Sequence, residues 1–298
     1  MAGGLRSPGV SKAFVMRYAA HLGLRGPEQP LFRHSARSAD PVDQIAFLAE
    51  QGFAGVQDNF LKLRPVAEQE RIGVALARYG LQMGSFNNNP LAWNRPLWSL
   101  ADPAAQAELA RDLEDSIAAA ARTGGRHLTC VTGTGPREGE PAPNAARQGA
   151  ELRGMAENLR RLADRAAEGG CILCVEPVAA AWIPGLLVAT LADALQVVRA
   201  VAHPAVKLLF DIAHVQTSEG DVLPRLRQCW SDVALLQAAD TPGRRDLGSG
   251  ELDWPAILRV VREQGYAGLI EIEHLPAADS AEAEHQLLRR LRAVDAAI

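Results

Sequence analysis

Hydrophobic and polar positions along the chain predict short buried strands, each followed by a longer amphipathic helix. The strand candidates are short runs of mainly apolar residues bounded by turn residues, whereas the helix candidates repeat their apolar positions every three or four residues. The predicted strands span 13–20, 55–59, 81–87, 126–135, 171–178, 205–214, 233–240 and 269–274. The chain therefore reads as a regular alternation of strand and helix.

Capping residues mark where the predicted helices begin and end. Asp40-Pro41 and Asp102-Pro103 each combine an N-cap side chain with proline at the first helical position, and Thr190 caps a later helix. Two long segments, 87–103 and 133–144, are rich in turn residues and are expected to be loops.

Eight strand-then-helix units in 298 residues predict an α/β fold of the (β/α)₈ TIM barrel type. Several strands are almost continuously apolar, as parallel strands covered on both faces are. We expect a single domain over 1–298, in which 1–12 form a flexible N-terminal extension. An open doubly wound sheet is the alternative, but no GxGxxG motif follows the first strand.

Composition and charge narrow the classes of partner. The chain is 48% hydrophobic and 22% charged with a net charge of −4, so it lacks the basic surplus expected of a nucleic-acid-binding protein. No apolar run approaches 18 residues, so no membrane span is predicted. The N-terminus lacks a signal-peptide pattern, which makes a cytoplasmic location the expectation. The expected partner is a small-molecule substrate, and the sequence leaves open whether the chain forms a homo-oligomer.

The cysteines carry no clear metal or redox signal. Cys171 and Cys174 form a CxxC motif, but they fall in a predicted strand, where residues three apart face opposite sides. No second CxxC completes a zinc site. We expect all four cysteines to be reduced and mostly buried.

Polar side chains end four consecutive predicted strands. Working residues of such barrels lie at the carboxyl ends of the strands, so these side chains are expected to meet. The residues are Glu176, Asp211, Gln237 and Glu273, which lie 35, 26 and 36 positions apart, about one strand–helix unit each. Strand alternation places Cys174, Leu209 and Leu235 two residues earlier, where they would fill a lower layer.

Three carboxylates in one place favour a metal ion. Carboxylates held close together raise one another's pKa, and a divalent cation removes that conflict. Carboxylate and amide oxygens suit Mg²⁺ or Mn²⁺ better than zinc. Each residue alone could be an ordinary cap or salt-bridge partner, but four in series favour a metal site. Glu271 is expected to be structural, one layer deeper and paired with a cation.

Four segments resemble the hydroxypyruvate isomerase group of the xylose-isomerase-like barrels. They are "VEPV", "FDIAHVQ", "LLQAADTPGRRDLGSGELDW" and "YAGLIEIEHLP". The resemblance implies Glu176, Asp211, Gln237 and Glu273 as metal ligands, with Glu176 and Glu273 also the acid–base pair. It implies that His214 and Arg244 contact the substrate. Gln237 is typical of hydroxypyruvate isomerases, because ketose 3-epimerases of the superfamily usually carry His there.

The sequence differs from the hydroxypyruvate isomerase group at two places where that group has polar residues near the substrate. The group usually has Asn and a polar run after the glutamate of strand five, but here 179–182 read Ala-Ala-Ala-Trp. Gln57 replaces the glutamate of a common "GVEF" segment. Trp93, Trp98 and Trp182 are expected to line a pocket for a larger or more apolar substrate, with ordinary loop packing as the alternative.

The resulting hypothesis is a metal-dependent isomerase or epimerase of a small hydroxycarbonyl or sugar-like compound. A metal would polarise the carbonyl, and two glutamates would move a proton through an enediolate. The first alternative is a lyase or dehydratase that uses the same enediolate on a bulkier substrate. An abasic-site endonuclease is disfavoured by the net charge and by only seven scattered histidines. A barrel that binds a partner without catalysis is the fourth hypothesis.

Overall fold

Nine short strands, each parallel to its neighbours, form a nearly closed barrel within the part of the chain that the structure describes. The structure is a computed structural model that describes residues 13–134 and 145–298. The predicted extension 1–12 and most of the predicted loop 133–144 lie outside the described residues. The strands are β1 (Tyr18–His21), β2 (Gly55–Gln57), β3 (Gln82–Met83), β4 (Ser85–Asn87), β5 (His127–Cys130), β6 (Ile172–Val175), β7 (Val206–Asp211), β8 (Val233–Ala238) and β9 (Ile270–Ile272).

The strands follow one another around the barrel in chain order. The hydrogen-bonded order is β3-β2-β1-β9-β8-β7-β6-β5-β4, and only Gly84 separates β3 from β4 along the chain. The two ends of this order are therefore joined covalently. The predicted TIM barrel is confirmed, and all eight predicted strand positions hold a strand.

Helices surround the barrel, and the three helices with a predicted capping residue begin where that residue indicates. They are α1 (Pro41–Glu50), α2 (Val66–Tyr79), α3 (Pro103–Thr123), α4 (Ala145–Glu168), α5 (Leu191–Val201), α6 (Ile212–Glu219), α7 (Val222–Cys229), α8 (Trp254–Glu263) and α9 (Ala281–Asp295). The Asp40 and Asp102 side chains accept backbone N–H groups of the first turns of α1 and α3. Thr190 and Asp193 form a reciprocal capping box at α5.

The third predicted strand, 81–87, is wrong in one respect, because it is broken at Gly84. The Gly84 N–H donates to the Val56 carbonyl at 2.6 Å, but the next N–H, that of Ser85, donates to the carboxylate of Glu271 at 2.5 Å. A Cβ atom at Gly84 would lie 2.2 Å from Oε1 of Glu271. The glycine therefore lets a buried side chain replace a strand hydrogen bond.

The other observed strands are also shorter than predicted. In two of them a side chain accepts the backbone N–H groups next to the strand end. The predicted strand 205–214 stops at Asp211, whose side chain accepts the His214 N–H at 2.8 Å and caps α6, a helix that the hydrophobic pattern does not reveal. The predicted strand 13–20 begins only at Tyr18. The preceding N–H groups of Val15 and Met16 donate instead to Asp295 of α9, at 2.7 and 2.9 Å.

Apolar side chains fill two regions. A large cluster lies between the strands and the helices, and a small one inside the barrel comprises Cys174, Leu209 and Leu235. The predicted lower layer is thus confirmed. All four cysteines are free and buried, as expected. Over the described ranges, no helix is long and apolar enough to cross a membrane.

Candidate active site

The four polar residues predicted from strand ends lie at the same end of the barrel. Asp211 ends β7 and is paired in register with Gln237 of β8. Glu176 and Glu273 each follow the last residue of their strands, β6 and β9. All four side chains are buried, Asp211 and Gln237 almost completely.

A cavity of about 1230 Å³ opens above these residues. Six of the eight predicted site residues line it, namely Glu176, Glu273, His214, Arg244, Trp182 and Trp93. Asp211 and Gln237 are not among its lining residues. The volume exceeds the roughly 300–1,000 Å³ typical of sites for drug-sized ligands, so a three-carbon acid would fill only a part of it.

Arg244 joins two of the carboxylates. Its guanidinium donates to Oδ2 of Asp211 at 2.9 Å and to Oε2 of Glu273 at 2.6 Å, and also to the Glu273 carbonyl. The backbone of Arg244 has a φ of 49°, a left-handed conformation that costs a non-glycine residue about 1–2 kcal/mol. The guanidinium carbon lies 5.5 Å from the ring centre of Trp182. Arg244 is therefore a fixed element of the mouth and not a surface cation.

Two amides that the sequence did not single out as functional hold Glu273. Oε1 of Glu273 accepts from Nε2 of Gln57 at 2.9 Å and from Nδ2 of Asn59 at 3.1 Å. From the sequence, Gln57 was identified only as a departure from the family pattern, and no role was predicted for Asn59. Gln57 ends β2, and Asn59 lies two residues later in the turn that follows. The available signal was this spacing, because in the predicted strand 55–59 it puts both side chains on one face.

The tautomer of His214 is fixed by the backbone. Its Nδ1 accepts the N–H of Ala179 at 3.1 Å, so the proton of a neutral ring lies on Nε2. Nε2 is 3.9 Å from Oε1 of Glu176. Burial lowers the pKa of His214 to about 4, so the ring is neutral at pH 7. His214 thus presents an N–H donor beside Glu176.

The carboxyl pKa values diverge. Burial, and after it the charges of Glu273 and Asp211, raise the pKa of Glu176 well above its usual range. Burial would also raise the pKa of Asp211, but Arg244 and the hydrogen bonds that Asp211 accepts lower it overall. Burial raises the pKa of Glu273, although Arg244 and the two amides oppose the shift.

Glu271 lies below the site, but the prediction that it pairs with a cation is wrong. Its carboxylate accepts from the backbone N–H and hydroxyl of Ser85 and from Nε2 of Gln237, at 2.5, 2.6 and 3.1 Å. Burial raises the pKa of Glu271 to about 7 despite these hydrogen bonds. Neutral donors thus take the place of the expected cation.

The three tryptophans predicted to line a pocket separate into two groups. Trp182 lies 4.9 Å from the ring of His214, and Trp93 is 39% exposed at the mouth. Trp98, by contrast, is fully buried and lies outside the cavity lining. Its indole N–H donates to Asn89 at 2.9 Å, which fixes it in the packing of the long loop, so its predicted pocket role is wrong.

The donor set fits a hard divalent cation. Among the described residues, potential ligand atoms of Glu176, Asp211 and His214 lie within 4.8 Å of one another. Oε1 of Gln237 is buried and has no hydrogen-bond partner among residues 13–134 and 145–298, as an unused ligand oxygen would have none. The proton on Nε2 of His214 makes that ring a donor and not a ligand. The remaining atoms are oxygens, which suit Mg²⁺ or Mn²⁺.

Comparison with known proteins places this geometry in a family. A sequence model described as "Xylose isomerase-like TIM barrel" matches residues 45–291. The chain belongs to the xylose isomerase-like TIM barrel family. Membership confirms the resemblance seen in the four sequence segments.

Relatives in the xylose isomerase-like family include named isomerases. The 2-oxo-tetronate isomerase of Cupriavidus necator is 27% identical over 243 residues, which cover 80% of this chain and 89% of that protein. The hydroxypyruvate isomerase of Escherichia coli is 29% identical over 170 residues, 55% of this chain and 63% of that protein. These relatives support isomerase activity for a small substrate.

A solved structure of similar shape carries a different name. The AP endonuclease, family 2, of Brucella melitensis superposes with a TM-score of 0.75 at 24% identity, over 93% of this chain and 100% of that one. At this identity the likeness concerns the fold alone.

Proposed function

We propose that the protein is a metal-dependent isomerase or epimerase of a small hydroxycarbonyl or sugar-like compound. The observation that carries the proposal is a pair of buried glutamates, Glu176 and Glu273, in one cavity but in different surroundings. Burial raises the pKa of both glutamates, but three side chains that donate to Glu273 oppose its rise. The pKa of Glu176 is raised well above its usual range by burial and by neighbouring carboxylates. Divergent surroundings are how enzymes assign acid and base roles to two carboxyls.

Oxygen ligands support the metal in this proposal. Glu176, Asp211, Gln237 and Glu273 would hold Mg²⁺ or Mn²⁺, for the reasons of charge and donor type given above. Such a cation, when bound, supplies Lewis-acid polarisation of the substrate carbonyl.

Proton transfer is the task of the two glutamates. Glu273, whose carboxylate is stabilised by the donors of Gln57, Asn59 and Arg244, takes the carbon-bound proton. Glu176 delivers a proton to the neighbouring carbon of the enediolate, or to the opposite face of the same carbon. In the first case the substrate hydroxyl also gives up its proton as it becomes the new carbonyl, and the former carbonyl oxygen gains a proton, so that no atom is gained or lost overall. The first outcome is isomerisation and the second is epimerisation. His214 Nε2–H and Arg244 donate to substrate oxygens.

Solvent deuterium exchange tests the two roles. In D₂O, wild-type enzyme is expected to incorporate deuterium into hydroxypyruvate or 2-oxo-tetronate, the compounds that give the relatives their names. Glu273→Gln is expected to abolish exchange, whereas Glu176→Gln keeps exchange but loses most product. The control is Glu284→Gln, because Glu284 is buried but accepts only from the backbone N–H groups of His34 and Ser35 in the described contacts. Unchanged exchange in both site variants contradicts the proposal.

Product analysis separates the isomerase from the lyase. The apolar wall at 179–183 and the size of the cavity favour a substrate larger than hydroxypyruvate, which is the case in which the lyase alternative arises. An isomerase or epimerase conserves the mass of its substrate. Mass spectrometry that finds loss of water or of another leaving group would favour the lyase.

A further inference from the structure

Gln237 has an amide whose two ends lie in different environments. Its Nε2 donates to Oε2 of Glu271 at 3.1 Å, while its Oε1 is buried and has no hydrogen-bond partner in the part of the chain that the structure describes. Leaving a buried acceptor unpaired costs about 1–3 kcal/mol. A side-chain amide that could rotate freely would turn its oxygen toward a donor. A neighbouring residue must therefore fix the orientation of the Gln237 amide.

Glu271 is that neighbour, and its own position is fixed on the other side. Oε1 accepts the backbone N–H of Ser85 at 2.5 Å, and Oε2 accepts the Ser85 hydroxyl at 2.6 Å. The carboxylate reaches Ser85 only because position 84 is glycine, since a Cβ there would lie 2.2 Å from Oε1. Gly84, Ser85 and Glu271 therefore form a connected support beneath Gln237.

We infer that Glu271 is a positioning residue that turns the carbonyl oxygen of Gln237 toward the cation. This inference rests on the cation site of the proposed function. Glu271 holds the –NH₂ end of the Gln237 amide, because Ser85 fixes both carboxyl oxygens and Oε2 accepts from Nε2 of Gln237. This contact leaves the Gln237 oxygen for the metal. Hydrogen bonds to a ligand from outside the coordination sphere orient it, and their loss typically costs about 10–100-fold in metal affinity.

Replacing Glu271 by Gln should reverse the Gln237 amide. The Ser85 N–H can only donate, so the new side chain must place its oxygen there and its –NH₂ group toward Gln237. Gln237 would then turn its own oxygen to that –NH₂ group and present its nitrogen to the cation. The expected result is a dissociation constant for Mn²⁺ raised about 10–100-fold.

A double-mutant cycle with Mn²⁺ as the probe tests this directly. Mn²⁺ binding to the chelator-treated full chain is measured by the electron paramagnetic resonance signal of free Mn²⁺, without substrate. Glu271→Gln should weaken binding in the wild-type background but have little further effect beside Gln237→Ala, because it acts through Gln237. Ser85→Ala should weaken binding less, since the backbone N–H of residue 85 remains. Glu284→Gln is the control for loss of a buried carboxylate and should leave binding unchanged.

The possible failures are distinguishable. If wild type binds Mn²⁺ and Glu271→Gln binds it equally well, the positioning role is overturned while the cation site stands. An equal loss with and without Gln237→Ala also overturns it, because Glu271 would then act by another route. A wild type with no affinity for Mn²⁺ overturns the cation site and the inference together. Should Glu271→Gln fail to fold, Ser85→Ala alone and with Gln237→Ala gives the same cycle, judged by the same outcomes.

Discussion

Glu176 and Asp211 illustrate how neighbours drive two buried carboxyls in opposite directions. Burial favours the neutral form of each, but Asp211 accepts from Arg244 and from the first turn of α6, whereas Glu176 faces two other carboxylates. The charge distribution of the site is therefore uneven before any substrate enters it.

The raised pKa of Glu176 has a consequence for stability in the presence of a chelator. The folded state holds a proton that the unfolded state releases above about pH 4.3, so the contribution of Glu176 to the free energy of unfolding falls as pH rises toward the folded pKa. Glu176→Gln removes this pH-dependent decrease in the free energy of unfolding, because a glutamine side chain does not ionise. With EDTA, we expect the variant to be more stable than wild type at pH 8, and the advantage to shrink toward pH 4.5. Urea unfolding at both pH values measures it, and an advantage that grows at low pH would contradict the prediction.

Gln57 provides a second test at the residue scale. Gln57→Leu removes a donor to the Glu273 carboxylate, and a hydrogen bond to a charged group is worth about 1.5–3 kcal/mol. We expect kcat/KM to fall about 10–100-fold. Gln44→Leu is the control, because Gln44 is equally buried but donates to the backbone carbonyls of Phe32 and Ser38. A comparable fall in both variants would show that the loss is not specific to Glu273.

Position 84 shows how a single residue shapes an element. Gly84→Ala places a Cβ against Glu271 and should destabilise the fold by about 1–3 kcal/mol, the usual cost of overpacking. Among the described residues, a Cβ at Gly149 in α4 meets only Arg153, at 3.5 Å, so the same substitution there should stabilise the helix by about 0.5–1 kcal/mol. Thermal unfolding of the two variants should therefore shift in opposite directions. Equal shifts in Tm for the two variants would contradict a steric clash between a Cβ at position 84 and Glu271.

Strand positions were predictable because period-two patterns and caps are local. The lower layer of Cys174, Leu209 and Leu235 and the joint placement of four strand ends followed from that pattern. The break at Gly84 and the helix after Asp211 did not, because each depends on a side chain hydrogen bond that takes a backbone N–H. The roles of Gln57 and Asn59 depend on contacts with Glu273, which lies more than 200 residues away in the chain.

At the scale of the whole molecule, a bound cation would be coordinated by residues at the ends of four strands that are distant in the sequence. A ligand that binds only the folded state stabilises it, by about 2.7 kcal/mol at a concentration 100-fold above its dissociation constant. For a chain of this length we expect Mn²⁺ at that concentration to raise Tm by roughly 5 °C. Differential scanning calorimetry with and without EDTA measures the shift. Gln237→Ala should require more Mn²⁺ for the same rise, and a Tm that is independent of Mn²⁺ would contradict the site.

The backbone of Ala179 has a consequence for how this barrel could acquire new substrates. The N–H that sets the His214 tautomer belongs to the main chain, and any residue except proline supplies it. The neighbouring Ala181 and Ile183 are exposed and line the cavity. Mutation can therefore remodel this part of the cavity wall while the imidazole keeps its proton in place, so that natural variation or directed evolution can change specificity here without first losing the chemistry.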